Sequence, residues 1–317
     1  MLAHLLRRLH QIQLLTGALL GAWVASQCWP HFWGVFFLAL LGSVLFPLVL
    51  YGMVIGFLMH KSRPSGPDIL RWHALWGEFV ATLQIYGFQL PWAFNPPQVL
   101  PALTGSTGLT GLTGLTAART PVLLVHGFVC NHRIWDKLSL ALRRSGHPTL
   151  ALDMEPLFTS IDDYVPIIEQ AVIDLQRQTG AAKVVLIGHS MGGLAIRSWM
   201  RSKGCRRVAK VITLGTPHQG TLISSLAPTT NAAQMVWHSA WLQALQASET
   251  CETRALMHIA ISLHDNIVYP QREQVLAGAE LTVFEGLGHL RLCLDDHVID
   301  WVLQQLDGRA FDHNGGL

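Results

Sequence analysis

A serine, an aspartate and a histidine stand where residue type, spacing and order predict hydrolytic chemistry. Residues 188–192 (GHSMG) fit the pattern Gly-x-Ser-x-Gly and follow the apolar run 184–187. A serine on a sharp turn between a strand and a helix is typical of a nucleophile elbow. The glycines let strand and helix pass close together, and the start of the helix presents free N–H groups beside the serine oxygen. The pattern therefore predicts Ser190 as a nucleophile.

A serine nucleophile needs a general base, and the base needs a carboxylate that orients it. After an elbow of this type the chain order is serine, acid, histidine. Asp265 follows the apolar segment 256–263, and His289 follows the segment 280–284. Open α/β sheets bind ligands at the carboxyl ends of their strands. Asp265 and His289 are therefore predicted as the acid and the base.

Three other histidines fit this order less well. His264 precedes the loop in which the base is expected, and His297 lies inside the last predicted helix. His218, in the stretch 215–220 (GTPHQG), precedes Asp265 in the chain. The sequence predicts that His218 is a structural or pocket residue.

An acyl-transfer transition state also needs donors for its oxyanion. Residues 126–128 (HGF) end the first strand of the predicted domain, and Met191 begins the helix after the elbow. The backbone N–H groups of Phe128 and Met191 are the predicted donors. Cys130, just beyond, is interpreted as a small packed residue.

The elements around these residues alternate between strand and helix. Each predicted strand is apolar on both faces, which is typical of a buried parallel sheet covered by helices on both sides. The predicted strands are 121–128, 147–153, 183–189, 208–214, 256–263 and 280–284, and the predicted helices are 131–144, 160–178, 191–202, 271–276 and 289–305. The predicted fold class is α/β, with a mostly parallel sheet.

Five stretches in this order resemble α/β-hydrolases of the bacterial triacylglycerol lipase and esterase type. They are VLLVHGF, VVLIGHSMGG, TLGTPHQGT, LHDNIVYP and GLGH, and the resemblance covers about residues 120–305. It implies an α/β-hydrolase fold without a metal or organic cofactor. It also implies the same roles for the residues named above, namely nucleophile Ser190, acid Asp265, base His289, and oxyanion donors Phe128 and Met191.

The strand pattern pauses between residues 221 and 253. An apolar stripe in this segment includes Trp237, Trp241 and Leu245. The sequence leaves open whether the stripe packs in the core or forms a lid that binds substrate. A pocket lined by such side chains would favour acyl chains over charged substrates.

The N-terminal residues 1–66 have the composition of a membrane region. From Gln11 to His60 the chain has no Asp, Glu, Lys or Arg. A transmembrane helix needs about 20 apolar residues, and two such helices are predicted at about 11–29 and 32–59. A single span is the alternative left open. A cleaved signal peptide would leave the second apolar block unexplained.

Basic residues flank the predicted hairpin on both sides. Arg7 and Arg8 precede it, and Lys61, Arg63 and Arg71 follow it. Positive flanks face the cytoplasm, which predicts a protein of the bacterial inner membrane with a cytoplasmic catalytic domain. The net charge of +2 and the lack of long basic runs give no support for a nucleic acid partner.

Two segments connect the membrane region to the catalytic domain, which is predicted at 120–307. Residues 67–95 show apolar residues at helical spacing and predict an amphipathic helix. That helix either lies on the membrane surface or packs on the domain. Residues 96–119 contain a Thr-Gly-Leu repeat and predict a flexible linker.

The five cysteines form no C-x-x-C pair, so that no zinc or redox site is predicted. A disulfide among Cys205, Cys251 and Cys293 stays open if the domain lies outside the cytoplasm.

The sequence thus predicts a membrane-anchored serine hydrolase that cleaves lipid or small-molecule esters of apolar acyl groups. A thioesterase or acyltransferase would use the same three residues, and a non-catalytic membrane protein with this fold is the remaining hypothesis. The oligomeric state is left open.

Overall fold

The computed structural model describes residues 1–29, 31–64, 66–103 and 119–308. A six-stranded parallel sheet lies at its centre, in the strand order β2-β1-β3-β4-β5-β6. The strands are β1 (Val122–Val125), β2 (Thr149–Ala151), β3 (Val184–His189), β4 (Val208–Leu214), β5 (Met257–Ser262) and β6 (Glu280–Phe284). This arrangement confirms the predicted parallel α/β class.

Helices cover both faces of the sheet. The α-helices are α1 (Leu2–Cys28), α2 (Phe32–Ser62), α3 (Asp68–Thr82), α4 (Asp136–Arg144), α5 (Val165–Thr179), α6 (Met191–Lys203), α7 (Thr230–Gln234), α8 (Ala240–Ala247), α9 (Cys251–Ala255) and α10 (Asp296–Asp307). A π-helical segment (Leu83–Gln89) continues α3, and short 3₁₀ helices lie at Leu90–Trp92, His132–Trp135, Ile161–Tyr164, Leu222–Leu226 and Arg291–Cys293.

The two hydrophobic layers follow from the alternation of side chains along each strand. Val122 and Leu124 of β1 face one cluster, whereas Leu123 and Val125 face the other. All four are fully buried. A strand with apolar residues on both faces can only be central in a sheet covered on both sides, which explains why β1 reads as one continuous apolar run.

Helices α1 and α2 form an antiparallel pair whose backbones touch at glycines. A Cβ atom on Gly17 would lie 2.2 Å from the carbonyl oxygen of Gly42, and one on Gly21 would lie 1.9 Å from that of Leu38. No residue with a side chain fits at either place without separating the helices. Membrane helices associate through small residues in this way, because lipid offers no hydrophobic drive for their contact.

Within the described part of the chain, one helix, α2, is long and apolar enough to cross a membrane. Only 6% of its most apolar window is buried. Two such spans were expected, but α1 carries Gln11, Gln13 and Gln27 among its apolar residues, which lowers its mean hydropathy. A membrane hairpin of both helices therefore stays a prediction.

Helix α1 also begins earlier than the predicted position 11. Its first turns lie on the α/β domain, where Leu2 and Leu6 are buried in the hydrophobic cluster that contains Val122. The Arg7 guanidinium donates a hydrogen bond to the carbonyl of Pro91 (2.8 Å). Tertiary packing thus stabilises helix at residues 2–10, which the apolar pattern did not include in the predicted span.

Helix α3 packs on its neighbours along one face. Ala74 contacts Ile55 and Met59 of α2, and Ala81 and Ile85 enter the cluster of the α/β domain. Of the two placements left open for this amphipathic segment, the structure has it packed between α2 and the domain.

Three predicted boundaries differ from the structure. The start of the predicted linker 96–119 is fixed on the domain, because Leu100 and Thr149 exchange backbone hydrogen bonds (2.8 and 2.9 Å); residues 104–118 lie outside the described residues. The predicted helix 271–276 is a series of turns. The predicted closing helix 289–305 is interrupted, because the side chain of Asp295 caps α10 by accepting the N–H of His297.

Candidate active site

Ser190 occupies a strained turn between β3 and α6. Its φ of 54° and ψ of −129° lie in a region that side chains rarely adopt, and such strain clusters at functional sites. The N–H of Ser190 donates to the carbonyl of Leu214 (2.9 Å), which ties the turn to β4. A Cβ on Gly192 would lie 2.2 Å from the carbonyl oxygen of Val125, so the elbow closes only with glycine there.

Asp265 and His289 form a buried pair at the carboxyl ends of β5 and β6. The Nδ1–H of His289 donates to Asp265 Oδ2 over 2.8 Å. Asp265 Oδ1 accepts the N–H groups of Ile267 (2.8 Å) and Val268 (2.7 Å), and the N–H of His289 donates to Asn266 (3.0 Å). The loop after β5 thus holds both partners, since it supplies the N–H donors to Asp265 and the side-chain acceptor for the N–H of His289.

The environment of His289 raises its pKa. Burial of the imidazole lowers the pKa, but the Asp265 carboxylate and the nearby Glu78 raise it by more, so that the pKa lies above its ordinary value of 6.5. A histidine with this balance accepts a proton readily and stays oriented while it is charged.

His189, the residue before the serine, is a neutral neighbour of the base. Its ring centroid lies 4.5 Å from that of His289, and its Nε2 lies 3.2 Å from the carbonyl oxygen of His289. Burial keeps the pKa of His189 well below 6.5, and the charge of His289 lowers it further. His189 therefore packs against His289 and fixes its backbone.

The loop of the predicted oxyanion donor Phe128 lies directly against Ser190. A Cβ on Gly127 would lie 2.7 Å from the Cβ of Ser190. His126 holds this loop, because Nε2 accepts the N–H of Met154 (3.0 Å) and Nδ1–H then donates to the carbonyl of Gly127 (2.8 Å). Met191, the other predicted donor, is the first residue of α6, whose N–H has no intrahelical acceptor.

Glu78 is part of this site although sequence reasoning did not single it out. It lies on α3, is 1% exposed, and its carboxylate accepts the backbone N–H groups of Leu290 (3.0 Å) and Arg291 (3.1 Å). Burial raises its pKa from 4.5 to about 7. The available signal was one acid on the apolar face of an amphipathic helix, between Ala74 and Ala81.

A cavity of about 400 Å³ contains both Ser190 and His289. Three parts of the chain line it: the strand-end loops of the domain, helix α3 with its π-helical continuation, and helix α2. The α2 residues are Tyr51, Val54, Ile55 and Leu58. Its volume lies within the range of small-molecule sites.

The three predicted substrate-binding residues lie elsewhere. Trp237, Trp241 and Leu245 do not line the cavity that contains Ser190. The indole N–H of Trp241 donates to Asp162 (2.9 Å), and Leu245 is fully buried. The segment 221–253 packs on α6 and on the 3₁₀ helix Ile161–Tyr164. Its apolar side chains, among them Met235 and Leu242, enter the cluster on that face of the sheet.

The surroundings of His218 and Cys130 do not favour a catalytic role for either residue. His218 is fully buried beside Arg197, and its Nε2 contacts Thr213 (3.0 Å), in a structural position. Cys130 lines the cavity, but burial raises the pKa of its thiol to about 12. Cys205, Cys251 and Cys293 are free thiols.

Comparison with known sequences agrees with this arrangement. The sequence profile described as "Alpha/beta hydrolase family" matches residues 122–258. Triacylglycerol lipases of Pseudarthrobacter phenanthrenivorans and Burkholderia plantarii are each 34% identical over 114 residues, which is 33% of this chain. A triacylglycerol lipase of Pseudomonas fragi is 27% identical over 48% of the chain and 58% of its own length. The chain spans about a third of the length of the first two relatives (35% and 31%).

Solved structures share the fold. A Bacillus licheniformis lipase in its propeptide form superposes with a TM-score of 0.56 at 16% identity, over 70% of this chain and 56% of that one. Lipase B of Aspergillus fumigatus superposes with a TM-score of 0.52 at 14% identity, over 61% of this chain and 53% of its own. The profile match over residues 122–258, the sheet order and these superpositions show that the chain has an α/β-hydrolase fold.

Proposed function

We propose that this protein is a membrane-anchored serine hydrolase that cleaves carboxylic esters of apolar acyl groups. The observation that carries the proposal is the common cavity of Ser190 and His289, with the buried Asp265 carboxylate on the far side of the imidazole. The triacylglycerol lipases related to this chain support an ester as the substrate.

The first half of the reaction forms an acyl-enzyme. Ser190 Oγ attacks the ester carbonyl carbon while His289 Nε2 takes the hydroxyl proton. The negative charge that develops on the carbonyl oxygen is stabilised by the N–H groups of Phe128 and Met191. The bond to the alcohol breaks, and His289 gives its proton to the leaving oxygen.

The second half releases the acid. A water molecule attacks the acyl carbon, His289 takes one of its protons, and the tetrahedral intermediate uses the same two donors. The bond to Ser190 Oγ breaks, and His289 returns the proton to that oxygen. Asp265 holds the imidazole in the tautomer with Nδ1 protonated and stabilises its positive charge in both halves.

The membrane anchor is α2, paired with α1. Large apolar side chains on both helices are exposed to the surroundings, among them Leu15, Leu19, Phe37, Leu41 and Phe57, and lipid would cover them. The basic residues at both ends of the pair support a catalytic domain on the cytoplasmic side of the bacterial inner membrane. A fluorophosphonate probe that does not cross membranes should label Ser190 in lysed cells but not in intact cells; labelling in intact cells would reverse the orientation.

The decisive test is turnover by the full-length protein in detergent or nanodiscs. We expect hydrolysis of p-nitrophenyl butyrate and covalent labelling by a fluorophosphonate, both abolished in Ser190→Ala. Ser225→Ala, at an exposed serine of the same domain, should retain both. Absence of labelling and turnover in the wild-type protein would refute the proposal. Turnover of acyl thioesters, or acyl transfer to a lipid alcohol, in preference to ester hydrolysis would assign the same residues to the alternative reactions.

A further inference from the structure

One wall of the Ser190 cavity belongs to the apolar helix α2 and not to the hydrolase domain. The four α2 residues in that wall are Tyr51, Val54, Ile55 and Leu58. They recur at positions i, i+3, i+4 and i+7, so they form one continuous face of the helix. The face that meets the reacting residues is therefore part of the same helix that is long and apolar enough to cross a membrane.

This wall is held in a fixed place. Ile55 is 3% exposed and packs with Met59 against Ala74 of α3. The same helix α3 carries Glu78, whose carboxylate binds the backbone of Leu290 beside the catalytic histidine. The α2 face, α3 and the His289 loop are thus connected by direct contacts.

The interior of the cavity suits hydrocarbon. The carboxylate of Glu78 is occupied by backbone N–H groups, and the hydroxyl of Tyr86 donates to the carbonyl of Val129 (3.2 Å). Between these groups the wall is formed by aliphatic side chains, Val54, Ile55 and Leu58 among them. A polar ligand would lose its hydration here without replacement, whereas an alkyl chain gains from burial.

The position of the cavity along α2 matches the depth at which lipid ester groups lie in a bilayer. Val54 lines the cavity and is 47% exposed, and the cavity is only partly enclosed, so it is accessible from the outside along α2. Lys61 lies three residues after Leu58, a rise of about 4.5 Å along the helix. The cavity therefore lies at the end of the apolar stretch, just before the basic flank, where the ester groups of a lipid separate hydrocarbon from headgroup.

We propose that the Tyr51–Leu58 face of α2 is the acyl-chain binding site, and that the substrate is a membrane lipid whose chain passes from the bilayer along this face to Ser190. This inference rests on the proposed function for the reaction at Ser190. It assigns chain selection to the anchor helix, so that the anchor contributes to specificity as well as to location.

The test changes the width of the cavity beside α2. Val54→Trp and Leu58→Trp narrow the cavity, and Val54→Ala and Leu58→Ala widen it. For each full-length variant in nanodiscs, kcat/KM is measured with p-nitrophenyl palmitate and p-nitrophenyl butyrate. We expect the palmitate-to-butyrate ratio to fall about tenfold or more with tryptophan, since pocket contacts of this kind discriminate by such factors. The two alanine variants should raise the palmitate-to-butyrate ratio or leave it at the wild-type value. Met53→Trp, at a neighbouring α2 residue that is 68% exposed, should leave the ratio within about twofold.

A second measurement separates binding from turnover. Ser190→Ala protein in bilayers is irradiated with a photoactivatable palmitoyl ester, and the crosslinked peptides are identified. Crosslinks within 51–58 that weaken in the Val54→Trp background support the site, even if the wild-type protein proves inactive and the proposed reaction fails. An unchanged ratio in both tryptophan variants, with full labelling of Ser190 by a small fluorophosphonate and no crosslink in 51–58, would overturn the inference.

Discussion

Glu78 accepts the backbone N–H of Leu290, the residue that directly follows His289. The two residues are 212 positions apart in the chain, and Glu78 lies outside the residues 122–258 that match the hydrolase profile. A Cβ on Gly288 would lie 2.4 Å from the Glu78 carboxylate, so the loop can approach this closely only with glycine. Helix α3 thus fixes the loop of the predicted base from the side on which it packs against α2.

This contact predicts a change in the pH profile when Glu78 is replaced by Gln. Glu78 is ionised above its own pKa of about 7, and its negative charge there raises the pKa of His289. His289 acts as a base only when it is neutral. Removal of that charge lowers the pKa of His289, so the acid limb of kcat/KM should move to lower pH. The measurement is ester hydrolysis across the acid and neutral range, with Glu273→Gln at an exposed site as the control. An acid limb that stays in place would show that Glu78 has no influence on the base.

The same residue predicts a pH-dependent stability. The pKa of Glu78 is raised from 4.5 in the exposed chain to about 7 in the folded protein, so the folded state binds more protons between these values. Its contribution to the free energy of unfolding is therefore fully present below about pH 4.5 and is lost as pH rises toward 7, by about 3 kcal/mol. Thermal unfolding of Glu78→Gln should lack this decline, whereas Glu273→Gln should keep it. Equal pH slopes in the wild type and Glu78→Gln would contradict the assignment.

Asp265→Asn should lower kcat by roughly 10⁴-fold while the protein stays folded, which is the order of loss found when such a carboxylate is replaced by an amide. The amide loses the charge that raises the pKa of His289 and no longer selects the tautomer with Nδ1 protonated. The measurement is kcat for p-nitrophenyl butyrate together with the melting temperature. Asp300→Asn, at an exposed aspartate, should change neither. A loss smaller than about tenfold would argue for another orienting acid.

Gly192→Ala should destabilise the elbow by about 1–3 kcal/mol or more. The added methyl would lie 2.2 Å from the backbone oxygen of Val125, and the backbone of a central strand cannot retreat. The Ser190 turn should shift as a result, with loss of fluorophosphonate labelling. Gly87→Ala is the matched control, because a Cβ there meets nothing within 4 Å. It should be neutral or slightly stabilising, because alanine has the higher helix propensity. Equal destabilisation of both variants would mean that the close contact with Val125 does not set the cost.

The elements around the elbow could be predicted because their signals are local. A buried strand between covering helices must be apolar on both faces, as Val184 and Val185 are, and a turn as tight as that of Ser190 needs glycine beside it. Chain order then points to Asp265 and His289, whose contact the structure has at 2.8 Å.

The rest of the site depends on contacts that no local pattern carries. An acid on an apolar helix face does not say which loop it will meet, and Glu78 meets one 212 residues away. An apolar stripe does not distinguish a lid from the core, and Trp241 is held by Asp162, 79 residues before it. The contribution of α2 to the cavity could not be predicted for the same reason. The length and composition of an apolar helix indicate a membrane span and do not show which part of the domain it contacts.

The glycine contact of the helix pair makes a final prediction. Gly21→Leu should separate α1 from α2, because a Cβ at this position already lies 1.9 Å from the carbonyl oxygen of Leu38. The cavity wall on α2 should then lose support, so palmitate hydrolysis should fall more than butyrate hydrolysis, and the melting temperature in detergent should drop. Gly56→Leu adds the same side chain to α2 where a Cβ meets nothing within 4 Å, and it should behave as the wild type. If Gly21→Leu retains both the melting temperature and the ratio of the two activities, α1 does not support the wall, and α3 alone holds α2 against the domain.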